Sequence, residues 1–333
     1  MSEARSITMR IQAAWQRLPP KTRDRIDWVF VGSQGIRAGW SLLIFAAITA
    51  SVSLTIHLAF HGRMPMPKGE IPARFMLIRE ALSVVLILGA TAVMARIERR
   101  SMWSYGLAGR RALALYGAGW LGGLACLSFL VGGLYAFGFL TFGGVALTAP
   151  LAIFYGLVWL LVFLLVGVSE EAIFRGYIQF TLARGIGFWP AAIVASGLFA
   201  ASHLANPGET ALGITGVALA GLTFCLLLRI TGSLWLGIGF HTSWDWAQSY
   251  LYGTPDSGLM MRGHLLITSA TGDAHISGGS AGPEGSLLAA PATIAGLLIL
   301  IWVIKISGLT AVNWDSTSLP PAAGALPLDP AGA

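Results

Sequence analysis

The stretch that decides the fold is PLAIFYGLVWLLVFLLVGVSEEAIFR, residues 150–175. It carries no charged side chain before Glu170, and a run of roughly 20 apolar residues is what a helix needs to cross the hydrocarbon core of a bilayer. The stretch therefore predicts a transmembrane helix with Glu170, Glu171 and Arg175 at its end or in its continuation. Charged groups inside a membrane are rare because they are costly to desolvate, so these three residues are the first candidates for function.

Apolar runs of similar length occur along most of the chain. Hydrophobic residues make up 55% of the 333 residues and charged residues only 11%, against about 25% charged residues in an average soluble domain. We predict an all-α fold, namely a polytopic transmembrane helix bundle of about eight spans. The predicted spans are residues 39–60, 76–96, 115–137, 150–172, 189–205, 211–229, 233–251 and 287–307.

The Lys and Arg residues of the short loops predict the orientation in the membrane, because cytoplasmic loops carry an excess of them. The N-terminal arm, residues 1–38, and the loop 97–114 are rich in Arg, whereas the loop 138–149 contains neither Lys nor Arg. Both termini are therefore expected in the cytoplasm and the loop 252–286 outside. The same bias accounts for the net charge of +6, so no nucleic-acid partner is expected.

Three regions follow from this pattern. Residues 1–38 form a cytoplasmic basic arm, residues 39–307 form the bundle with its functional core at about 150–250, and residues 308–333 form a disordered tail rich in Pro, Ala and Gly. The loop 252–286 is rich in Gly and Ser and is expected to be mobile. We expect an integral multi-pass protein of the plasma membrane.

The first polar cluster combines an ion pair with an additional carboxylate. Glu171 and Arg175 are four residues apart, so they share a helix face and can pair. Glu170 points about 100° away around the helix, has no local partner, and can serve as a general acid or base. The simpler alternative is a helix end in the headgroup layer, where Glu and Arg are readily accommodated.

Two further clusters follow at His203, which ends the fifth span, and at His241 and Asp245 in the seventh. His241 and Asp245 are again four residues apart, so the carboxylate can orient the imidazole. Each cluster alone could also be an interfacial or interhelical contact. If the fourth helix continues to a turn at 185–187, Glu171 and His203 differ in depth by only about one helical turn.

The order Glu-Glu-x-x-x-Arg, Phe-x-x-x-His and His-x-x-x-Asp on apolar helices resembles the CPBP intramembrane protease family, named after CAAX-processing proteases and bacteriocin-processing enzymes. The resemblance covers residues 150–250, under a third of the chain. It implies a transmembrane helix bundle with a buried, water-accessible site that opens toward the cytoplasm. It also implies peptide-bond hydrolysis without a covalent intermediate.

The resemblance also implies roles for individual residues. Glu170 matches the family's general base for the attacking water, and His203 matches the histidine that activates or holds this water. The structural partners of the first motif are matched by Glu171 and Arg175.

His241 and Asp245 match a pair that the family assigns to oxyanion stabilisation. Asp245 departs from the commoner Asn, and a carboxylate repels a developing oxyanion unless it is protonated or paired. We therefore expect Asp245 to orient His241 rather than to contact the oxyanion itself.

No cofactor is predicted. Glu170, His203 and His241 also make up a ligand set typical of catalytic zinc, so a divalent metal such as zinc is the alternative. The usual His-Glu-x-x-His spacing is absent, and the family resemblance favours a metal-independent glutamate mechanism.

Two other functions are compatible with the same residues. The protein could be a non-catalytic membrane scaffold or immunity protein that has kept the protease fold. It could also be a proton-coupled carrier, since buried acidic and histidine groups form proton relays, although no inverted repeat is detectable. The expected partners are the lipid bilayer and a peptide or protein substrate at the membrane, with or without a lipid anchor.

Overall fold

The structure, a computed structural model, describes residues 19–32, 35–59, 67, 69–109 and 111–309. The start of the basic arm and nearly all of the predicted tail lie outside these residues. The helices are α1 Pro20–Phe30, α2 Ala38–Ala59, α3 Ala73–Ile97, α4 Ala112–Ala136, α5 Ala149–Glu170, α6 Gln179–Ile186, α7 Phe188–His203, α8 Ala211–Thr231, α9 Trp235–Trp246, α10 Ala274–Ser277 and α11 Ala289–Ile306. The strands are β1 Val31–Gly32, β2 Gly35–Ile36, β3 Leu140–Val145 and β4 Leu266–Ala270. Two π-helical segments, Glu171–Ile178 and Ala247–Leu251, continue α5 and α9, and short 3-10 turns cover Met102–Ser104 and Pro283–Gly285.

The predicted helix bundle is confirmed, and each of the eight predicted spans overlaps a helix. In the described part of the chain, 6 helices are long and apolar enough to cross a membrane. The two others are the 16-residue α7 and the 12-residue α9 with its π-helical continuation. Two small antiparallel strand pairs, β1–β2 and β3–β4, supplement the helices.

The fourth predicted span continues beyond the Glu-Glu motif, as expected. Helix α5, the π segment Glu171–Ile178 and α6 form one continuous stretch that ends at Gly187, whose φ of +80° reverses the chain direction. Helix α7 then runs back along it and ends at His203. π-helical turns inside α-helices are frequently found at functional sites, and this one begins at Glu171.

Helix α9 lies at the centre of the bundle because glycines allow α4 to approach it closely. A Cβ atom at Gly119 would lie 2.1 Å from the Leu236 carbonyl oxygen, and one at Gly239 would lie 2.1 Å from the Tyr116 carbonyl oxygen. Such small-residue contacts drive helix association in lipid, where apolar surface alone provides little driving force. As a result, every residue from Leu236 to Asp245 is buried.

The connections between the helices meet at two ends of the bundle. The loop end consists of residues 69–72, 137–148, 204–210 and 252–288; β3 pairs with β4 there, and Ile71 bridges to Met261. The basic end consists of residues 98–109, 111, 187, 231–234 and 307–309. There the Leu234 amide donates to the Gly106 carbonyl, and Arg111 donates to the Gly308 carbonyl.

The segment 252–286 has more regular structure than its composition suggested. It contains β4, α10 and a 3-10 turn, and β3 holds it through the strand ladder. Its glycines serve tight turns rather than mobility: Gly258 has φ +78°, and a Cβ atom there would lie 2.4 Å from the Glu209 amide nitrogen. The regular structure of this segment was not predicted, because composition alone does not distinguish flexible glycines from those required by positive φ.

Candidate active site

The predicted ion pair between Glu171 and Arg175 is present and completely enclosed. Arg175 Nη1 lies 3.0 Å from Glu171 Oε1, and the two side chains are 0% and 1% exposed. The guanidinium carbon lies 4.2 Å from the ring centroid of Phe199 and 5.0 Å from that of Phe224, so aromatic faces surround the cation. The pair thus belongs to the bundle interior.

The imidazole of His241 connects this ion pair to the two other carboxylates. Its Nδ1 atom lies 3.2 Å from Glu171 Oε1, and its Nε2 atom lies 3.4 Å from Asp245 Oδ2 and 3.7 Å from Glu170 Oε2. The ring stacks on Phe224 at 5.0 Å between centroids. The contact with Asp245 follows from the predicted spacing of four residues, whereas the contact with Glu171 comes from the packing of α9 against the π segment.

Glu170 is the most accessible carboxylate that contacts His241. Its side chain is 29% exposed, compared with 1% for Glu171 and 10% for Asp245. Its Oε2 atom is buried and forms no hydrogen bond. The neighbouring Glu171 is held by Arg175 and His241, so Glu170 is the carboxylate of the motif that retains hydrogen-bonding capacity for another molecule.

His203 lies at the C-terminal end of α7, close to the same group. Its Nδ1 atom is 2.9 Å from the Phe199 carbonyl oxygen, and its ring meets the Phe199 ring edge-to-face at 4.8 Å. The described contacts include no hydrogen bond between His203 and Glu170. The two side chains are connected instead through a common cavity.

The cavity has a volume of about 700 Å³, and its wall includes Glu170, His203, His241 and Asp245. Most of the remaining lining is apolar and comes from α3, α5, α7, α8, α9 and α11. Two lining residues, Ile193 of α7 and Ile294 of α11, are 64% and 57% exposed on the outer surface of the bundle. The cavity therefore extends from the polar site to the apolar outer surface of the bundle.

Sequence reasoning missed two buried acidic residues of the cavity wall. Glu80 in α3 is 5% exposed, and its Oε1 atom lies 3.5 Å from Nε of Arg79. An acidic residue inside a predicted span is a signal that would have found it. Asp256 lies in the connection after α9, and no sequence pattern identifies it there as a candidate functional residue.

Asp256 is fixed at the loop end of the cavity. Its Oδ2 atom accepts a hydrogen bond of 2.9 Å from the hydroxyl of Ser249. Burial, and after it the negative charge of Glu284, raises the pKa of Asp256 well above its usual range. Glu284 in turn accepts hydrogen bonds from the amide and the hydroxyl of Ser257.

The zinc alternative was tested against the arrangement of ligand side chains. Among the described residues, no three His, Cys, Asp or Glu side chains are grouped as a metal site. Glu170, His203 and His241 lie on the wall of one cavity, but they are not among any such group. The zinc alternative stays a prediction, and no reaction step is derived through a metal.

Comparison with protein families gives one match in the central part of the chain. Residues 152–247 match the family described as type II CAAX prenyl endopeptidase Rce1-like. This match confirms the family resemblance and indicates, at the level of the family, an intramembrane endopeptidase. It covers less than a third of the chain, but it contains Glu170, His203 and His241 together with their charged partners. The comparisons with curated proteins and with solved structures gave no match.

Proposed function

We propose that the protein is an intramembrane endopeptidase that hydrolyses a peptide bond of a membrane-associated polypeptide, using a water molecule activated by Glu170 and His203. One observation carries the proposal: an accessible carboxylate faces a cavity inside the bundle, next to a buried network of charged groups. The Rce1-like match over residues 152–247 supports the same activity.

Glu170 has the properties of a general base, because it is accessible and its Oε2 atom has no protein hydrogen bond. In the proposed reaction its carboxylate takes a proton from water while the water oxygen bonds to the carbonyl carbon of the substrate. When the tetrahedral intermediate collapses, the C–N bond breaks and Glu170 passes the proton to the leaving amine. His203, on the wall of the same cavity, orients the water.

His241 is proposed as the donor that stabilises the oxyanion of the tetrahedral intermediate. Its Nε2 atom lies 3.7 Å from Glu170 Oε2, so the carbonyl oxygen of a substrate bound beside the attacking water comes within hydrogen-bonding reach of Nε2. A donor that packing already holds in place stabilises developing charge without reorganisation. Glu171, Arg175 and Asp245 are positioning residues, because each acts through its contact with His241 or with a partner of His241.

The substrate is proposed to be a peptide or protein that reaches the site along the membrane, because the cavity combines a polar centre with an apolar flank open toward lipid. The integral multi-pass character follows from the apolar helices. A plasma-membrane location with the N-terminus in the cytoplasm is proposed from the Lys and Arg distribution.

The test compares membrane proteomes of cells that produce the wild-type chain, Glu170→Gln or His203→Ala, and quantifies newly formed polypeptide ends. Loss of a general base lowers turnover by roughly 10²–10⁴-fold, so we expect the new ends to disappear in both variants. The controls are Glu70→Gln, at an exposed residue beside Arg262, and His57→Ala, at an exposed residue of α2. Both controls should cleave like the wild type.

Undiminished cleavage by a correctly inserted Glu170→Gln variant would refute the proposal. If the same variant fully complements a deletion strain, the scaffold function is favoured. Glu170-dependent uptake into proteoliposomes without cleavage would favour the carrier. We expect a metal chelator to leave turnover unchanged, and a loss of turnover that zinc restores would contradict the glutamate mechanism.

A further inference from the structure

We infer that the catalytic cavity is entered from the non-cytoplasmic side of the membrane. The inference concerns access to the site, and it rests on the proposed function only in treating the occupant as a polypeptide substrate. It follows from the position of the polar mouth, from the closure of the opposite end, and from the distribution of positive charge.

The polar mouth of the cavity lies at the loop end. Its wall there is formed by Ser202, Asn206, Ser257 and Glu284, which come from the end of α7 and from the connections 204–210 and 252–288. Ser202 is exposed, and the side chain of Asn206 donates a hydrogen bond of 2.9 Å to the Ser257 carbonyl oxygen. Water can therefore approach the site along these polar groups.

The basic end is closed by a buried hydrogen-bond network. Glu98 accepts hydrogen bonds from Tyr105 at 2.8 Å and from Tyr177 at 2.9 Å, and its carboxylate lies 3.1 Å from Arg184 Nη2. Tyr177 is 0% exposed. A substrate coming from this end would have to break charge-assisted hydrogen bonds inside the bundle, and such bonds are among the strongest in proteins.

Positive charge identifies the closed end as cytoplasmic. Seven Lys and Arg residues of the described part of the chain lie in the connections and last helical turns there: Arg96, Arg99, Arg100, Arg111, Arg184, Arg229 and Lys305. Two described residues, Arg74 and Arg262, lie in the connections and first helical turns of the loop end, and Arg63 and Lys68 stand between α2 and α3 in the sequence. The N-terminal arm, which leads into α2 at the basic end, adds seven more. By the positive-inside rule the loop end faces away from the cytoplasm.

Access from this side constrains the class of substrate. The family resemblance led us to expect a site that opens toward the cytoplasm. The mouth of the cavity lies at the loop end, and the charge distribution places the loop end outside, so the two observations together disagree with this expectation. A prenylated C-terminus produced in the cytoplasm would meet the closed end of the bundle. The substrate class that fits is a membrane-anchored polypeptide whose scissile bond lies on the outer side of the bilayer.

Single cysteines labelled with a membrane-impermeant sulfonated maleimide test the inference on the full chain. The variants Ser202→Cys and Asn206→Cys report on the mouth, Ser280→Cys on the surface of the loop end, and Ser101→Cys and Ser307→Cys on the surface of the basic end. The wild-type chain serves as the background, since Cys126 and Cys225 are buried. Labelling requires no catalysis, and we expect it to be unchanged when Glu170→Gln is added.

In intact cells we expect labelling at positions 202, 206 and 280 and no labelling at positions 101 and 307. In inverted membrane vesicles the pattern should reverse. Labelling of positions 202 and 206 from the same side as position 101 would overturn the inference, and so would their protection from both sides. These outcomes do not depend on turnover. A failure of this inference can therefore be distinguished from a failure of the peptidase assignment, which the comparison of membrane proteomes tests.

Discussion

The buried pair Glu171–Arg175 permits a quantitative test of the packing around the active site. The perturbation is a double-mutant cycle of Glu171→Gln, Arg175→Met and the combined variant. At the observed 3.0 Å, two unit charges attract by about 5.5 kcal/mol at an effective dielectric constant of about 20. Removing one partner of a buried pair costs about 3–5 kcal/mol, because the remaining charge is left uncompensated, whereas apolar replacement of both partners is often neutral.

Residual pairing of Glu171 and Arg175 in the unfolded state reduces the measured coupling energy only slightly. A helical chain in SDS keeps residues 171 and 175 one turn apart, and an exposed pair at this spacing contributes about 0.3–0.5 kcal/mol. We therefore expect a coupling energy of about 3 kcal/mol or more between the two sites. The assay is SDS-induced unfolding of the purified chain in mixed micelles, followed by tryptophan fluorescence.

The exposed pair Glu70–Arg262 provides the matched control. Its atoms are 3.8 Å apart and its side chains are 46% and 59% exposed, and exposed pairs contribute about 0–1 kcal/mol. The cycle Glu70→Gln with Arg262→Met should therefore show a coupling of this small size. If the Glu171–Arg175 cycle shows a coupling no larger than the control, the enclosed geometry described above is incorrect.

Two further predictions concern packing and pH. Gly239→Ala should destabilise the chain by about 1–3 kcal/mol through overpacking, because the new methyl group would meet the Tyr116 carbonyl. Gly117→Ala, with open space at its Cβ position, should be neutral or slightly stabilising, and equal effects in the two variants would contradict the close contact of α4 and α9. Asp256 has a raised pKa in the folded state, caused first by burial and then by Glu284. Its protonated form therefore supports folding below the unfolded pKa of about 3.9, and that contribution is lost as the pH rises through the folded pKa. Asp256→Asn should consequently lower the dependence of the free energy of unfolding on pH above the unfolded pKa of about 3.9, and an unchanged pH dependence would argue against a buried carboxyl at this position.

Much of the fold and part of the site could be predicted because they depend on local physics. A helix in lipid must satisfy its backbone hydrogen bonds internally and present apolar side chains, so hydropathy revealed the helices. The pairs Glu171–Arg175 and His241–Asp245 followed from the spacing of four residues on one helix face. The turn at Gly187 followed from the Gly-Ile-Gly sequence that interrupts the long helix.

The tertiary structure alone decided which helices are neighbours. All spans are apolar for the same reason, contact with lipid, so hydropathy carries no information about their lateral arrangement. The contact of His241 with Glu171, the place of Glu80 in the cavity wall and the order of the segment 252–286 all depend on that arrangement. The end at which the cavity opens depends on it as well, because a cavity is the space that packed helices leave between them and not a property of any one of them.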